Sequence, residues 1–156
     1  MEHLLISACL LGASCRYAGQ SQPLLQLVAL SEQFSLVPVC PEQLGGLPTP
    51  RTPAERIGSA VATKDGRDVT AAYRRGAEQA LHLARVCGCT VALLKERSPS
   101  CGIGKVYDGT FSGTLTAGDG VTAALLRENG IAVYGESEIE RLLEEHGAAA
   151  DVPSLF

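Results

Sequence analysis

An apolar run ends abruptly in charged, hydroxyl and thiol groups within Val91-Ala92-Leu93-Leu94-Lys95-Glu96-Arg97-Ser98-Pro99-Ser100-Cys101-Gly102. Its first four residues predict a short buried strand, because they are apolar without interruption. The proline and the glycine near its end prevent the strand from continuing, which places Ser98, Ser100 and Cys101 in a tight loop. Ligands bind at the carboxyl ends of strands in open parallel α/β sheets. We therefore expect this loop to form the centre of a site.

Two other apolar runs also end at a cysteine, Leu4-Leu5-Ile6-Ser7-Ala8-Cys9 and Leu36-Val37-Pro38-Val39-Cys40-Pro41-Glu42. Each predicts a strand, and a fourth strand is predicted at residues 131–134. The carboxyl ends of parallel strands meet at one edge of a sheet, so Cys9, Cys40, Cys101 and Glu136 are expected to emerge together there.

The strands alternate with segments in which apolar residues recur at helical spacing. These segments predict helices over residues 23–33, 70–84, 121–129 and 137–147, the last beginning with a capping box in Ser137-Glu138-Ile139-Glu140. The alternation predicts a Rossmann-like three-layer α/β domain with a mainly parallel sheet. We expect a single domain over residues 1–147, followed by a C-terminal tail over residues 148–156.

Three connections have their own signals. Asp65-Gly66 predicts a tight turn between two short strands within residues 60–69, which makes a small β-hairpin. The glycine-rich segment 107–120 alternates strand-forming residues and is interpreted as a lid or binding loop. Residues 40–53 contain four prolines and two glycines. This segment is expected to form a rigid wall that fixes Glu42 and Arg51.

Composition excludes several classes of protein. The chain has 156 residues and a formal net charge of -4 at pH 7, which argues against a broad basic surface for polymeric nucleic acid. No apolar run approaches the roughly 20 residues that span a bilayer, and the start lacks the pattern of a signal peptide. We expect a cytoplasmic protein that does not bind membranes.

The cysteines are numerous for such a protein: Cys9, Cys15, Cys40, Cys87, Cys89 and Cys101. Cytosolic thiols more often serve metal binding or catalysis than structural disulfides, and no C-x-x-C pair is present. Cys87 and Cys89 are interpreted as small buried hydrophobic residues, and Cys15 as ambiguous and partly exposed. The cysteines at the three strand ends are a potential ligand set for zinc, copper(I) or an iron-sulfur cluster, with one position left open for substrate. The alternative is three unrelated core cysteines.

Four separated motifs carry a resemblance to a known family. They are Ser7-Ala8-Cys9-Leu10-Leu11-Gly12, the segment from Val39 to Arg51, Lys95-Glu96-Arg97-Ser98-Pro99-Ser100-Cys101-Gly102 and Tyr107-Asp108-Gly109-Thr110-Phe111. In this order they resemble a bacterial family, long catalogued as a domain of unknown function, that includes the TudS-type thiouracil desulfidases. The resemblance covers nearly the whole chain and fits the short, single-domain form.

The resemblance implies a 4Fe-4S cluster held by Cys9, Cys40 and Cys101, whose fourth iron binds the sulfur of a thiolated nucleobase. It also implies a hydrolytic reaction in which thiouracil and water give uracil and hydrogen sulfide without net redox change. A soft metal with an open site suits this chemistry, because it polarises a C=S bond and accepts sulfide.

Other polar residues of the motifs are candidates for catalysis and substrate binding. Glu42 is the predicted general base and acid, with a surface carboxylate as the alternative. Ser98 is predicted to orient water or the base, or less readily to attack as a nucleophile, with a turn cap as the alternative. Arg51 and Ser100 are the substrate-binding candidates. The charged run at 95–97 is interpreted as a solvated rim.

Two further functions remain open from the sequence alone. The cysteines would also suit a non-catalytic iron-sulfur or thiol redox sensor. A nucleotide-binding Rossmann-like module with incidental cysteines is the third hypothesis.

Overall fold

The computed structural model describes residues 1–19 and 26–146. In these ranges the strands are β1 (Glu2–Ser7), β2 (Phe34–Val39), β3 (Ala54–Ile57), β4 (Ala60–Thr63), β5 (Cys89–Leu94), β6 (Lys105–Tyr107), β7 (Leu115–Ala117) and β8 (Ala132–Gly135). The α-helices are α1 (Leu27–Gln33), α2 (Pro41–Leu44), α3 (Thr70–Val86), α4 (Val121–Glu128) and α5 (Ile139–His146). Short 3-10 turns follow β1 at Ala8–Leu11 and β8 at Glu136–Glu138.

Four parallel strands form the central sheet in the order β2-β1-β5-β8. The predicted second strand is confirmed and runs from Phe34 to Val39, directly before Cys40. Neighbours along the sheet that are not consecutive in sequence require crossovers, which the helices provide. This arrangement confirms the predicted Rossmann-like α/β class.

Side chains along β1 alternate between two apolar clusters. Leu4 and Ile6 pack in one cluster with residues of α1 and α5, whereas Leu5 packs in the other with residues of α3 and α4. Successive strand residues point to opposite faces of a sheet, so helices cover both faces. The predicted three layers are therefore confirmed.

The small hairpin lies earlier in the chain than predicted. Antiparallel β3 and β4 are joined at Gly58-Ser59, where Gly58 has a φ of +61°. Asp65-Gly66 does make a tight turn after β4, in which the Gly66 N–H donates to the Thr63 carbonyl at 2.9 Å. This turn returns the chain to β4 through a single antiparallel bridge between Ala62 and Asp68 and not through a second strand. The prediction missed Gly58 as the residue that adopts the left-handed conformation between the paired strands. The predicted lid segment forms a second hairpin from antiparallel β6 and β7.

The ends of two helices differ from the prediction or cannot be compared with it. The predicted start of the first helix at Pro23 lies outside the described residues, as do Gly147 and the tail over residues 148–156. The predicted capping box at 137–140 is wrong, because the Ser137 hydroxyl donates to Glu96 Oε2 at 2.7 Å. Glu138 instead accepts the backbone N–H of Gly135 at 3.0 Å, so the cap forms about half a turn earlier.

No helix in residues 1–19 and 26–146 is sufficiently long and apolar to cross a membrane.

Candidate active site

A cavity of about 590 Å³ opens at the carboxyl ends of the central strands. Cys9 follows β1, Cys40 directly follows β2, and Cys101 lies on the loop after β5; all of them line this cavity. The structure thus brings together the cysteines that sequence separates by 31 and 61 residues. The cavity volume is ordinary for a small-molecule site.

The cysteines that meet here are shielded from water. Cys9 is 6% exposed and Cys101 is 5% exposed, and Cys40 is partly buried. Burial raises the pKa of Cys9 to about 11, an effect that the nearby Lys95 ammonium opposes. Burial likewise raises the pKa of Cys101, and the Ser7 hydroxyl opposes it through a hydrogen bond. Cys40 raises the pKa of both thiols, so the three sulfur atoms act on one another electrostatically.

The donor set distinguishes between kinds of metal group. No group of His, Cys, Asp or Glu side chains within residues 1–19 and 26–146 is arranged to hold a metal ion. A single ion with Zn–S bonds of about 2.3 Å draws its ligands close together, whereas cysteines of an iron-sulfur cube bind different irons at separate corners. Buried soft thiols placed around a wide cavity therefore fit a cube better than one ion.

Cys15 lines the same cavity, although the sequence left its role ambiguous. The expectation of partial exposure is wrong, since Cys15 is 5% exposed. The Cys40 thiol lies 3.8 Å from the Cys15 carbonyl oxygen, which accepts its weak hydrogen bond. Burial, with a contribution from Cys40, raises the pKa of Cys15 to about 12. Cys87 and Cys89 do not line the cavity. Cys89 is buried, as predicted, whereas Cys87 is only partly buried.

Glu42 reaches the cavity because α2 packs very closely on α3. A side chain on Gly45 would place its Cβ 2.0 Å from the Ala72 carbonyl oxygen, and one on Gly76 would place it 1.9 Å from the Pro41 oxygen. Only glycine permits such backbone contact. Helix α2 is thereby held against α3, with Glu42 facing Tyr73 across the interface.

The two oxygen atoms of the Glu42 carboxylate have different partners. Oε2 accepts hydrogen bonds from Arg51 Nε at 2.8 Å and from the Tyr73 hydroxyl at 3.1 Å, and Arg51 Nη2 lies 2.7 Å from it. Oε1 accepts a hydrogen bond from the Ser98 hydroxyl at 3.3 Å. Burial, with the Glu42 charge as the second cause, raises the pKa of Tyr73 far above its usual value, so Tyr73 remains a donor. Sequence periodicity had placed Tyr73 only in the apolar stripe of α3.

Arg51 lines the cavity, but its guanidinium is engaged by the protein. Besides Glu42 it donates to the carbonyls of Pro48 at 3.2 Å and Cys15 at 3.0 Å, and its side chain is 6% exposed. These contacts favour a role in holding Glu42 and the surrounding loops. The expected rigid wall over residues 40–53 thus contains a short helix and a buried ion pair.

Ser98 and Ser100 occupy different environments within one tight loop. Ser98 lines the cavity, and its oxygen accepts the backbone N–H groups of Ser100 and Cys101, each at 3.1 Å. It is therefore both the predicted turn cap and a neighbour of Glu42. Ser100 is fully buried and pairs with the Thr122 hydroxyl at 2.7 Å. The structure does not bring Ser100 into the cavity, because its side chain faces the amino-terminal turn of α4.

The charged run at 95–97 is the expected solvated rim only at Arg97, which is exposed, whereas Lys95 and Glu96 are partly buried. Lys95 Nζ lies 2.9 Å from Glu136 Oε1, and the two side chains are 17% and 14% exposed. Glu96 accepts the backbone N–H and the hydroxyl of Ser137 at 3.0 and 2.7 Å. This polar network ties the loop after β5 to the end of β8 and places the Lys95 ammonium near Cys9. Apart from the predicted position of Glu136 at the sheet edge, no sequence pattern indicates this network.

The chain is similar to known proteins over nearly its whole length. Residues 4–138 match the family described as 2-thiouracil desulfurase. The chain is 42% identical over 150 residues to the uncharacterized protein YbbK of Bacillus subtilis (strain 168), covering 90% of this chain and 99% of that protein. A solved structure described as the 4Fe-4S-dependent thiouracil desulfidase TudS is 48% identical and covers 100% of both chains with a TM-score of 0.88.

Proposed function

Because the chain belongs to the 2-thiouracil desulfurase family, we propose that it is a 4Fe-4S-dependent desulfidase that removes sulfur from a thiolated nucleobase such as thiouracil. The observation that carries the proposal is the convergence of Cys9, Cys40 and Cys101 on one cavity that also contains Glu42 and Ser98. The redox-sensor and nucleotide-binding hypotheses explain the thiols or the fold but give no role to the adjoining carboxylate.

The residues that would hold the cluster are Cys9, Cys40 and Cys101. When bound, the cluster supplies a soft Lewis-acidic iron that polarises the C=S bond and takes up sulfide. Lys95 lies where its positive charge offsets part of the negative charge of the thiolates. The raised thiol pKa values mean that binding of the metal group displaces protons from these cysteines.

Glu42 is the proposed general base. Arg51 and Tyr73 engage Oε2, which leaves Oε1 directed to Ser98 and available to a water molecule. Oε1 takes a proton from water as its oxygen bonds to the thiocarbonyl carbon, and the protonated carboxyl then returns that proton to the departing sulfide. The hydroxyl proton of the resulting adduct also passes to the sulfur as the C=O bond of uracil replaces the C=S bond. Both protons of the water thus leave with the sulfur, and thiouracil and water give uracil and hydrogen sulfide with no electron transferred to or from the protein.

Ser98 and Arg51 support this step from opposite sides of the carboxylate. The Ser98 hydroxyl, fixed by two backbone N–H donors, orients Glu42 and water. Arg51, predicted from the sequence to bind substrate, is proposed here as a positioning residue for Glu42, together with Tyr73. Two guanidinium nitrogens, Nε and Nη2, converge on Oε2, and with the Tyr73 hydroxyl they restrict the carboxylate to one orientation, which suits a base that must meet a water at a defined place.

The proposed substrate is a free small molecule and the proposed location is the cytoplasm. The net charge of -4 disfavours polymeric nucleic acid as a substrate. Residues 1–147 are proposed to act as a single domain.

The test compares wild type with Glu42→Gln and a matched control, Glu32→Gln, at an exposed position on α1. Anaerobically purified wild type and both variants should contain iron and acid-labile sulfide, and wild type and Glu32→Gln should release equal amounts of uracil and sulfide from thiouracil. Glu42→Gln should reduce kcat roughly 100-fold or more while retaining its iron. Wild type that cannot be loaded with iron, or Glu42→Gln with unchanged kcat, would contradict the proposal.

A further inference from the structure

We propose that Phe111 is the aromatic wall on which the planar ring of the substrate stacks, and that Glu55 is the residue that positions it. The inference rests on the pyrimidine substrate proposed above and adds a residue that determines specificity. It starts from the loop between β6 and β7, which the proposed chemistry does not use.

Phe111 is the one large apolar residue in a polar loop, Asp108-Gly109-Thr110-Phe111-Ser112-Gly113-Thr114. It belongs to neither core cluster and is half-buried, and it lines the cavity that contains the three cysteines. A phenyl ring placed to stabilise the fold would pack into a core. A ring presented to a cavity is available to a ligand instead.

The backbone at Phe111 adopts a conformation that bulky residues rarely occupy. Its φ is +57°, in the left-handed region, where glycine or asparagine is usually found. The Glu55 carboxylate holds this conformation, since Oε1 accepts the backbone N–H of Phe111 at 3.1 Å and that of Gly109 at 3.0 Å. Strained residues that are held by their surroundings cluster at ligand sites. The observed strain therefore supports a function for this ring.

The loop is also ordered before any ligand arrives. Gly109 approaches β3 so closely that an added Cβ would lie 2.5 Å from Ile57 Cγ1. A chain of hydroxyl contacts runs from Thr110 to Ser112 at 2.6 Å and on to Thr114 at 2.8 Å. A preorganised wall loses little conformational entropy on binding, which favours affinity for a flat ring.

Aromatic side chains and nucleobases attract each other through stacked π-faces, whatever the base. A saturated ring has no such face and is not planar. Phe111 should therefore discriminate uracil and thiouracil from dihydrouracil. Hydrogen bonds to the polar groups that uracil and dihydrouracil have in common cannot supply this discrimination.

The decisive experiment measures dissociation constants of uracil and dihydrouracil on the anaerobically purified, cluster-loaded protein by ligand-observed NMR. Wild type and Phe111→Tyr should prefer uracil. Phe111→Leu, which retains apolar volume but not the π-face, should bind uracil roughly tenfold more weakly and dihydrouracil about as before. Equal losses for both ligands, or no loss of uracil binding, would overturn the stacking role.

Glu55 is tested by conservative rescue. Glu55→Gln keeps an Oε1 acceptor and should resemble wild type, whereas Glu55→Ala should reproduce the loss of uracil preference of Phe111→Leu. In turnover of 2-thiouracil, Phe111→Leu should raise KM about tenfold with kcat within about threefold, because stacking acts equally on substrate and transition state. A fall in kcat alone would contradict the proposal.

The two proposals fail separately. Wild type that turns over thiouracil but shows no preference for uracil removes the stacking site and leaves the desulfidase intact. Wild type that prefers uracil but has no turnover removes the desulfidase and leaves a pyrimidine site. Each result thus assigns the failure to one proposal.

Discussion

Replacing Arg51 by methionine should show that this residue and Glu42 act as one unit. The change removes a guanidinium that is 6% exposed and leaves a carboxylate that is 14% exposed without its cation. Breaking a buried pair from one side costs about 3 to 5 kcal/mol. The hydroxyls of Tyr73 and Ser98 still bind the carboxylate, so we expect the lower end, about 3 kcal/mol. In a domain of this size that corresponds to a melting temperature lower by roughly 6 to 12 °C.

A double-mutant cycle separates the pair from other effects of the substitution. Urea unfolding of cluster-free protein, held reduced with chelator present, is measured for wild type, Arg51→Met, Glu42→Gln and the double variant. We expect the double variant to lose about 2 kcal/mol less unfolding free energy than the sum of the losses in the two single variants, because it leaves no unpaired charge. A second ion pair, between exposed Arg67 and Asp65, supplies the control, since Arg67→Met should leave the urea midpoint unchanged.

Additive losses would refute the reasoning, as they would mean that Arg51 stabilises only the loops whose carbonyls it binds. The reasoning would also be refuted if Arg67→Met lost as much unfolding free energy as Arg51→Met. Burial of the ion pair would then not determine how much its loss destabilises the protein. Activity supplies a further check. Arg51→Lys retains the charge but not the planar set of guanidinium donors. Expressed as free energies, its loss in kcat should exceed its loss in unfolding stability.

Three further outcomes are expected. Cys101→Ser should lose most of its iron and acid-labile sulfide on anaerobic reconstitution, whereas Cys89→Ser, which removes a buried thiol remote from the cavity, should retain both; equal losses would argue against a ligand role. Lys95→Met should reduce iron retention because it removes the cation that opposes the raised pKa of Cys9. The control Lys105→Met, at an exposed position, should retain its iron, and the measurement is iron per chain after dialysis. Hydrogen bonds from the Thr70 side chain and backbone lower the pKa of Asp68 from its usual value, so the ionised form stabilises the fold at neutral pH and this stabilisation disappears as the pH falls through the folded pKa. The urea midpoint of Asp68→Asn should lie below that of wild type at pH 7, and the difference should shrink as the pH is lowered.

The sequence predicted those parts of the molecule that local patterns determine. Strand β2 and the buried stripe of α3 follow from the order of apolar residues, and the strand-end cysteines converge because parallel strands share an edge. The hairpin was misplaced because Gly58 and Gly66 both adopt left-handed backbone, and only the pairing of β3 with β4 decides which of them joins two strands. Sequence patterns contain no information about that choice.

The side-chain network around Glu42 lay beyond sequence reasoning for another reason. Tyr73 sits on the apolar stripe of α3, and nothing in its spacing reveals that its hydroxyl meets a carboxylate 31 residues away. The sequence places Ser98 and Ser100 in the same loop and does not show which side chain faces the cavity. In the structure the Ser100 side chain pairs with Thr122 in the interior, whereas that of Ser98 contacts Glu42. Such contacts depend on tertiary packing that no local period encodes.

The segment Cys40-Pro41-Glu42 connects a proposed cluster ligand to the proposed general base through one intervening residue. Cys40 ends the second strand and Pro41 begins a helix, since a proline is favoured in the first helical turn. Glu42 is thereby placed two residues from a thiol, on a helix whose close approach to α3 requires glycine on both sides. The distance of the base from the proposed ligand is fixed by the chain, but its orientation is fixed by Arg51 and Tyr73. Substitutions that loosen α2 from α3 should therefore disturb catalysis without removing the thiols that would hold the cluster.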